Sequence, residues 1–415
     1  MNHEAAMEYL VNSFGQGRKK GMDAVLAALA ALDNPQEKIK IIHVAGTNGK
    51  GSFCAMMGNI LEEAGYRVGS FTSPHMEKFN ERFTINGEMI SDEDFARHLS
   101  KIAEISGQMY EDGDGFSYFE LLTMLAFCYF YEQAVDFLLL EVGIGGRNDC
   151  TNVIKNPILS AIMAIGFDHM DILGDNLSDI AREKGGIIKK KCPVVLYDDV
   201  PLVYNIFKEI AADNNAKVYS SSNISLNGYK IGLIGEHQRK NAQTVVAAIN
   251  VLRDLGFSVD DAHIYNGLEK TRHMGRMEIM GENPTIILEG AHNLQGAEAA
   301  AYNMQNLFVD KEITVIMGMM ADKEFDKIVN VLAGSAKCVV FTKPFYDHRA
   351  ADPKDLAACL TKDDRDVYIE NDCTKAYETA KKITSADGVI LVTGSLYLVG
   401  DIRTYIKRDC GLSQQ

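Results

Sequence analysis

The segment that most restricts the fold of this chain is HVAGTNGKGS at residues 43–52. An apolar run from Lys38 to Val44 precedes it and has the composition of a buried strand, and a helical pattern from Lys50 to Ala64 follows it. A strand, a glycine-rich loop and a helix in this order direct backbone N–H groups and the positive end of the helix dipole towards one point, which favours a bound phosphate. The segment therefore predicts an α/β domain built on a parallel sheet.

The residues of this loop suit nucleotide binding, although they depart from the strict GxxxxGK[ST] pattern. Val44 takes the place of the first glycine, and Gly51 separates Lys50 from Ser52. Lys50 can neutralise phosphate charge, and the hydroxyl of Ser52 can reach a metal ion. A glycine-rich turn that only caps a helix is the alternative that these residues leave open. The predicted ATP-binding residues of the loop are Gly46, Thr47, Asn48, Gly49, Lys50, Gly51 and Ser52.

The rest of the chain alternates apolar runs with helical patterns. The runs Phe137 to Val142 and Ile158 to Ile165 are almost continuously apolar, which is typical of parallel strands covered on both faces. A helix is predicted from Glu236 to Leu255. A second series has candidate strands at Thr285 to Leu288, Ile313 to Met317, Cys338 to Thr342 and Val389 to Val392. We therefore predict two domains, 1–280 and 284–415, joined by a hinge at Gly275 to Pro284.

Composition excludes several partners and compartments. The 415 residues carry a formal net charge of −15, which disfavours binding to nucleic acid over a broad surface. The eight cysteines are scattered without a CxxC pair, so they predict reduced thiols and not a zinc site or a disulfide framework. The N-terminus lacks the pattern of a signal peptide, and no apolar run approaches the roughly 20 residues of a membrane helix. We expect a cytoplasmic protein with no membrane partner.

Further motifs follow the loop in a constant order along nearly the whole chain. They are FTSPH (71–75), LEVGIGGRNDCTN (140–152), GFDHMDILG (166–174), IAREKGGIIK (180–189), HQRKNA (237–242), GAHN (290–293) and GSLYLVG (394–400). Together with the loop, they resemble the folylpolyglutamate synthase/dihydrofolate synthase family of the Mur-ligase superfamily. The resemblance implies a P-loop, three-layer α/β ATPase domain with a parallel sheet, then a smaller Rossmann-like α/β domain, with catalysis in the cleft between them.

The resemblance also implies an activity, which is that of an ATP-dependent acid–amino-acid ligase. ATP would phosphorylate a carboxylate of the acceptor, and the amino group of L-glutamate would then displace the phosphate. The acceptor would be tetrahydrofolate, whose tail grows by γ-linked glutamate, and also dihydropteroate if the chain is bifunctional. The family is generally monomeric, so a monomer is expected.

For the metal, the resemblance implies magnesium, two ions being expected, held by Ser73, Glu141 and His169. The residues themselves support Glu141 most, because it stands at the C-terminal end of an apolar strand, where α/β sheets collect ligands. A structural ion pair with Arg147 is the alternative for that carboxylate. Lys184, beside two glycines, would be catalytic and carboxylated to N6-carboxylysine; an ordinary lysine that faces phosphate or solvent is the alternative.

For the nucleotide and for glutamate, the resemblance implies Asn241 at the adenine, Arg276 and Glu289 at ATP, and a catalytic His292 near glutamate or the acyl phosphate. The chain departs from the family here, with His273 and Met274 before Gly275, and Leu294 after GAHN. It also has Glu289 where the family has aspartate, which shifts the contact by about one carbon–carbon bond, ~1.5 Å. Lys323 and Arg349 are cations that could face glutamate, with solvated surface charge as the alternative.

For the pterin, bifunctional members of the family use two segments that match residues 117–120 and 148–150. Tyr118 and Phe119 could stack on a flat ring, or they could belong to the core, and Asp149 could accept hydrogen bonds from amino groups of the pterin. The predicted folate-binding residues are Ser117, Tyr118, Phe119, Glu120, Asn148, Asp149 and Cys150.

Two other functions compete with this one; a third, a simple P-loop phosphotransferase, explains neither the GAHN motif nor the second domain. A sister Mur ligase that acts on a UDP-muramyl precursor needs a domain before the phosphate loop, and the loop here begins at Gly46, which leaves no room for it. A non-catalytic nucleotide-binding regulator is the second alternative. The combined presence of five residues with chemical roles argues against such decay; these are Lys50, Ser73, Glu141, His169 and Lys184.

Overall fold

The structure is a computed structural model that describes residues 1–13, 20–110, 115–345, 349–361 and 364–409. Its contacts divide the chain into two units. Unit 1 comprises Met1–Ile231 and Lys240–Thr271, and unit 2 comprises Gly232–Arg239 and Arg272–Gln415. Residues 272–280, which the sequence assigns to the first domain, thus belong to unit 2. The part of the TKPFYDHRA segment at 346–348 lies outside the described residues.

Unit 1 is built on a sheet of eight strands. The strands are β1 Ile41–Ala45, β2 Val68–Phe71, β3 Phe83–Ile85, β4 Glu88–Met89, β5 Phe137–Glu141, β6 Leu159–Ile162, β7 Val194–Leu196 and β8 Val218–Ser220. Their order is β4-β3-β2-β5-β1-β6-β7-β8, and all pairs are parallel except those of β3 with its two neighbours. Because β1 and β5 are adjacent parallel strands, the residues that follow them lie together at the C-terminal edge of the sheet.

The helices of unit 1 pack on this sheet or on one another. They are α1 His3–Asn12, α2 Met22–Ala31, α3 Lys50–Glu63, α4 Asp92–Met109, α5 Tyr118–Glu132, α6 Met170–Leu173, α7 Leu177–Gly185, α8 Pro201–Asp213, α9 Glu236–Asp254 (of which the residues up to Arg239 belong to unit 2) and α10 Asp261–Lys270, with short 3₁₀ turns at Pro35–Glu37, Phe79–Arg82, Cys150–Val153 and Ser221–Asn223. Helix α10 packs closely on α3 because Gly267 has no side chain; a Cβ there would lie 2.6 Å from the Cα of Ile60.

Unit 2 contains a second sheet of six strands, β9 Glu278–Glu282, β10 Thr285–Glu289, β11 Ile313–Met317, β12 Cys338–Phe341, β13 Asp366–Ile369 and β14 Val389–Thr393. The order is β13-β12-β11-β14-β10-β9, and only β9 is antiparallel to its neighbour. Among the described residues, the further helices of this unit are α11 Leu294–Leu307, α12 Phe325–Ala333, α13 Pro353–Cys359, α14 Cys373–Ile383 and α15 Leu396–Asp409. The α/β class predicted from the sequence is confirmed in both units.

The predicted hinge at Gly275 to Pro284 is wrong in one respect, because strand β9 occupies half of it. This strand pairs with β10 at the edge of the sheet, and its side chains are half-buried or exposed. A strand with so few buried side chains has no apolar run to reveal it, and its two glycines and the following proline read as a linker. The strands predicted at β10, β11, β12 and β14 agree with the structure to within one residue.

Two ranges in unit 1 are shorter than the apolar runs that predict them. Strand β1 begins at Ile41 although the run starts at Lys38, and β6 ends at Ile162 although the run continues to Ile165. The residues after β6 stay buried, but they leave the sheet and contact the glycine-rich loop. Among the described residues, every helix is too short or too polar to cross a lipid bilayer.

Candidate active site

The glycine-rich loop connects β1 to α3 and requires glycine at two positions. Gly46 and Gly49 have φ angles of 150° and 88°, which side chains rarely adopt. A Cβ on Gly46 would lie 2.7 Å from the Cβ of Met163, and one on Gly49 would lie 2.6 Å from Oδ1 of Asn241. The loop is therefore seated against two other segments, and Asn241 of α9 lies directly beside it.

Backbone and hydroxyl contacts hold the same loop from the side of β6. The N–H groups of Thr47 and Asn48 both donate to the carbonyl of Ala164, at 2.8 and 3.2 Å. The Thr47 hydroxyl donates to the Gly166 carbonyl at 3.0 Å and accepts from the Gly166 N–H at 3.1 Å. These bonds fix the loop before a ligand binds, which lowers the entropy that binding would otherwise lose.

Two lysines converge on one carbonyl of the loop. The Nζ of Lys50 donates to the carbonyls of Gly46 and Thr47 at 3.1 and 3.2 Å, and the Nζ of Lys184 donates to Gly46 at 3.0 Å. Lys184 is only 5% exposed, and this burial, together with the charge of Lys50, lowers its pKa to about 7 against the opposing effect of Asp168 and Asp149. A large share of its side chains is therefore neutral at neutral pH.

The carboxylate of Glu141 lies beside Lys50. Glu141 ends strand β5 and is 4% exposed; its Oε1 is 3.8 Å from the Nζ of Lys50, and its Oε2 accepts the N–H of Ser73 at 3.2 Å. The alternative of an ion pair with Arg147 is wrong, because Arg147 is exposed and pairs with Glu183 at 3.9 Å. Glu141, Ser73 and Lys50 are thus brought together, as a triphosphate–metal site requires.

Asp168 and His169 of the GFDH motif lie just before helix α6. His169 has a left-handed backbone, with φ 51°, and its side chain is 37% exposed. Asp168, to which the sequence assigns no role, is close enough to Lys184 to oppose the lowering of its pKa. A carboxylate directly before a motif histidine is the signal that could have singled it out.

The segment 117–120 uses its polar groups within the protein. Both the N–H and the hydroxyl of Ser117 donate to Oε2 of Glu120, at 2.9 and 2.7 Å, and the Gly21 N–H donates to Oε1 at 3.0 Å. Glu120 is 1% exposed, so Ser117 and Glu120 form a capping box that starts α5. Phe119 stacks on Phe71 with ring centres 5.8 Å apart, which places it against the core while leaving it partly exposed.

The segment 148–150 is similarly engaged. Oδ1 of Asp149 accepts from the N–H and the hydroxyl of Thr151 at 2.9 and 2.6 Å, and its Oδ2 accepts from the Ile144 N–H at 3.1 Å. The Thr151 hydroxyl also lies 2.9 Å from Nε2 of the fully buried His43. Cys150 is buried in the core, with its sulfur 3.1 Å from the Thr123 hydroxyl, whereas Asn148 is exposed.

In unit 2, Arg276 and Glu289 form a partly buried pair. Glu289 ends β10 and is 5% exposed; its Oε1 lies 3.7 Å from Nη1 of Arg276, and its Oε2 accepts the Met277 N–H at 2.9 Å. Burial raises the pKa of Glu289, and Arg276 opposes this rise. The half-buried His292 follows, with Nδ1 2.8 Å from the Gly290 carbonyl. These three predicted residues lie at the C-terminal end of one strand.

The two cations considered for glutamate, Lys323 and Arg349, are more exposed than Glu289. Arg349 is 49% exposed and lies 3.4 Å from the carboxylate of Asp322, and Lys323 is half-buried before α12.

Comparison with known proteins agrees with this geometry. Residues 44–249 match the Mur ligase middle domain, and residues 275–396 match the Mur ligase glutamate ligase domain. The dihydrofolate synthase/folylpolyglutamate synthase of Bacillus subtilis is 34% identical, over 94% of this chain and 96% of its own length. The chain belongs to the folylpolyglutamate synthase/dihydrofolate synthase family of Mur ligases.

Solved structures of this family share the fold. Escherichia coli FolC in complex with DHPP and ADP is 25% identical, with a TM-score of 0.89 over 99% of each chain. The bifunctional folylpolyglutamate synthase/dihydrofolate synthase of Yersinia pestis, complexed with AMPPNP and a manganese ion, is 27% identical with a TM-score of 0.86 over 98% of each chain. As a member of the family, the chain is an ATP-dependent ligase that joins glutamate to a folate.

Proposed function

We propose that this synthase glutamylates both dihydropteroate and tetrahydrofolate, through an acyl-phosphate intermediate and with magnesium. The observation that carries the proposal is the convergence of Lys50, Lys184, Ser73 and Glu141 on the glycine-rich loop. Lys50 is a half-buried amine 3.8 Å from the carboxylate of Glu141, and it shares the carbonyl of Gly46 with Lys184. An amine held on a glycine-rich loop at the start of a helix suits the phosphates of a bound triphosphate.

The residues for the metal fit a hard divalent cation. Glu141 presents a buried carboxylate that accepts the N–H of Ser73, and Ser73 also carries a hydroxyl. His169 presents an accessible imidazole. Magnesium prefers oxygen ligands and keeps several waters, so a carboxylate and a hydroxyl are enough protein ligands for it. When bound, the ion offsets phosphate charge and orients the γ-phosphoryl group.

The reaction we propose has two displacements. A carboxylate oxygen of the acceptor attacks the γ-phosphorus, the bond from that phosphorus to ADP breaks, and Lys50 stabilises the charge on the transferred group. The amino nitrogen of glutamate then attacks the acyl carbon and loses a proton. The acyl carbon–oxygen bond breaks, and phosphate leaves with an oxygen that came from the acceptor.

The proposal also assigns residues to the nucleotide and to glutamate. We propose that Arg276 and Glu289 contact the nucleotide and that Asn241, beside Gly49 in unit 1, contacts the adenine. His292, at the end of the segment that follows β10, is proposed to contact glutamate or the acyl phosphate. The nucleotide role of Arg276 and Glu289 is supported by their contact, because the longer side chain of Glu289 still keeps its carboxylate close to Arg276.

We also propose that Lys184 carries a carbamate. Its neutral nitrogen attacks carbon dioxide, forms a nitrogen–carbon bond and releases a proton, so the reaction requires an unprotonated amine. Its lowered pKa of about 7 supports this, since an ordinary lysine is almost fully protonated at neutral pH. Intact mass spectrometry at neutral pH should detect an adduct that acid removes, and its absence from the wild-type protein would refute the modification.

The acceptor assignment is tested by phosphate release from ATP with magnesium and glutamate, measured with dihydropteroate and with tetrahydrofolate. We expect glutamate-dependent release with both. Release with tetrahydrofolate alone would limit the chain to tail extension. Release with neither acceptor, from folded protein that binds ATP, would refute the assignment of both.

A further inference from the structure

Arg82 is a buried cation that has no ion-pair partner among the residues the structure describes. It ends the 3₁₀ turn Phe79–Arg82 and is 6% exposed. Its Nε donates to Nδ1 of His75 at 3.0 Å. A ring nitrogen that accepts a hydrogen bond carries no proton, so this imidazole leaves the charge of the guanidinium uncompensated.

The other neighbours of the Arg82 guanidinium are two aromatic faces. The guanidinium carbon lies 5.6 Å from the ring centre of Phe79 and 5.7 Å from that of Tyr118. Within the described ranges, no carboxylate forms an ion pair with Arg82. The adjacent Glu81 is turned to the chain itself, since its carboxylate accepts the N–H groups of residues 76–78 at 2.7, 3.1 and 2.8 Å.

This arrangement favours a bound anion. Desolvating a charge without an opposite charge is costly, and stacking on two rings recovers only part of that free energy. A guanidinium held by one N–H keeps the rest of its planar fork, which matches a carboxylate in two parallel hydrogen bonds. The rings on either side restrict the plane in which the carboxylate can approach.

The position of Arg82 indicates which ligand supplies the carboxylate. His75 belongs to the segment of Ser73, whose N–H contacts Glu141, and Tyr118 belongs to the predicted pterin segment 117–120. Arg82 therefore lies between the segment that contacts Glu141 and the predicted pterin segment. The acceptor is the substrate of this site that must reach both.

Tetrahydrofolate and dihydropteroate differ in their carboxylates. Dihydropteroate has a single carboxylate, which is the one that reacts, whereas the glutamate tail of tetrahydrofolate has a reacting γ-carboxylate and an α-carboxylate that does not react. A tight clamp on the reacting group would stabilise the ground state and slow its attack on phosphorus. We propose that Arg82 binds the non-reacting α-carboxylate of tetrahydrofolate and so separates the affinities for the two acceptors. This proposal rests on the folate-ligase function above.

The test compares dissociation constants of the two acceptors by calorimetry, on wild type, Arg82→Met and Arg82→Lys. Methionine keeps an unbranched, stackable chain between Phe79 and Tyr118 but removes the charge. We expect Arg82→Met to weaken tetrahydrofolate binding tenfold or more and dihydropteroate binding less than twofold. Arg82→Lys should recover part of the loss, because it restores the charge without the planar fork.

Lys78→Met is the matched control, since it removes an exposed cation from the same segment. It should leave both dissociation constants unchanged. Equal weakening of both acceptors by Arg82→Met, in protein with a native circular dichroism spectrum, would overturn the proposal and indicate a structural arginine. Unchanged binding of both would overturn it as well. Failure of the folate assignment is distinguishable, because wild type would then bind neither acceptor.

Discussion

The two ends of the candidate site in unit 1 use their polar groups in opposite ways. At the glycine-rich loop, Lys50 and Lys184 converge on the carbonyl of Gly46, with Glu141 as the nearby carboxylate. At the pterin end, Glu120 accepts three donors of the protein and Asp149 accepts three more. The residues around the glycine-rich loop, here called the phosphate end, therefore bring amines and a carboxylate together. At the proposed pterin end, segments 117–120 and 148–150, the carboxylates of Glu120 and Asp149 instead stabilise backbone and hydroxyl groups of the protein itself.

This difference changes what the shared motifs mean. A residue of the phosphate end should act on the chemistry, whereas Ser117, Glu120 and Asp149 should act mainly by holding backbone and rings in position. Four substitution or pH experiments test this contrast, because they separate effects on turnover from effects on the free energy of unfolding.

The largest effect is expected from Lys50→Met. Removing the amine that is proposed to face the transferred phosphoryl group should lower kcat by about a thousandfold, roughly 4 kcal/mol of transition-state stabilisation. Stopped-time phosphate release measures it, with the exposed Lys40→Met as the control. A loss below tenfold, with an unchanged unfolding midpoint, would remove Lys50 from the chemistry.

Lys184→Met should follow, with a loss in kcat of about a hundredfold. If the lysine acts as a carbamate, a small added carboxylate such as acetate should restore part of the activity of Lys184→Met, because it supplies the missing anion. Phosphate release with and without acetate measures this, and the exposed Lys190→Met serves as the control. No rescue, together with wild-type protein that carries no adduct, would favour an ordinary cationic role.

Glu120→Gln should instead lower the free energy of unfolding by about 2–3 kcal/mol. In wild type, the two carboxylate oxygens accept hydrogen bonds from Gly21 and Ser117, and the amide NH₂ group of glutamine would replace one of these acceptors with a donor. Urea denaturation measures this loss. The kcat of the folded variant should stay within twofold of wild type. A large rise in KM for dihydropteroate without loss of stability would break the contrast between the two ends.

The smallest effect concerns pH and the buried His43. Burial, with a smaller effect of Lys189, lowers its pKa to about 3 from the ordinary 6.5, so between these values the unfolded chain binds a proton that the folded protein does not. Stability must then fall as the pH drops below 6.5, by about 2 kcal/mol at pH 5. Urea denaturation at pH 7 and pH 5 should show a smaller decrease for His43→Gln than for wild type. An equal decrease would show that His43 does not titrate in this way.

The sequence predicted the local structure around the glycine-rich loop well, and it did not predict the contacts that hold segments 117–120 and 148–150, for physical reasons. Strand β1, the loop and α3 follow from local features, namely an apolar run, glycines with positive φ and a helix start. The bonds of Glu120 to Gly21 and of Thr151 to His43 join residues that are distant in sequence, so no local pattern reveals them. Strand β9 escaped prediction because it is an edge strand with few buried side chains.

The sequence also did not reveal that Arg82 is a buried charge. In the sequence it is one charged residue among several polar neighbours, with the appearance of a solvated turn. Only the fold brings His75, Phe79 and Tyr118 around it and buries its charge. Family motifs indicate the chemistry of a site, whereas the surroundings of a charge decide whether it still needs a partner.

The central claim is that ATP activates the acceptor as an acyl phosphate, and the direct test follows one oxygen atom. Tetrahydrofolate labelled with heavy oxygen in its γ-carboxylate is turned over with ATP, magnesium and glutamate, and the released phosphate is analysed by mass spectrometry. We expect one heavy oxygen in each phosphate, because the bond that breaks in the second step joins the acyl carbon to that oxygen. Phosphate without the label would mean that water, and not the acceptor, attacks the γ-phosphorus, and would contradict the mechanism.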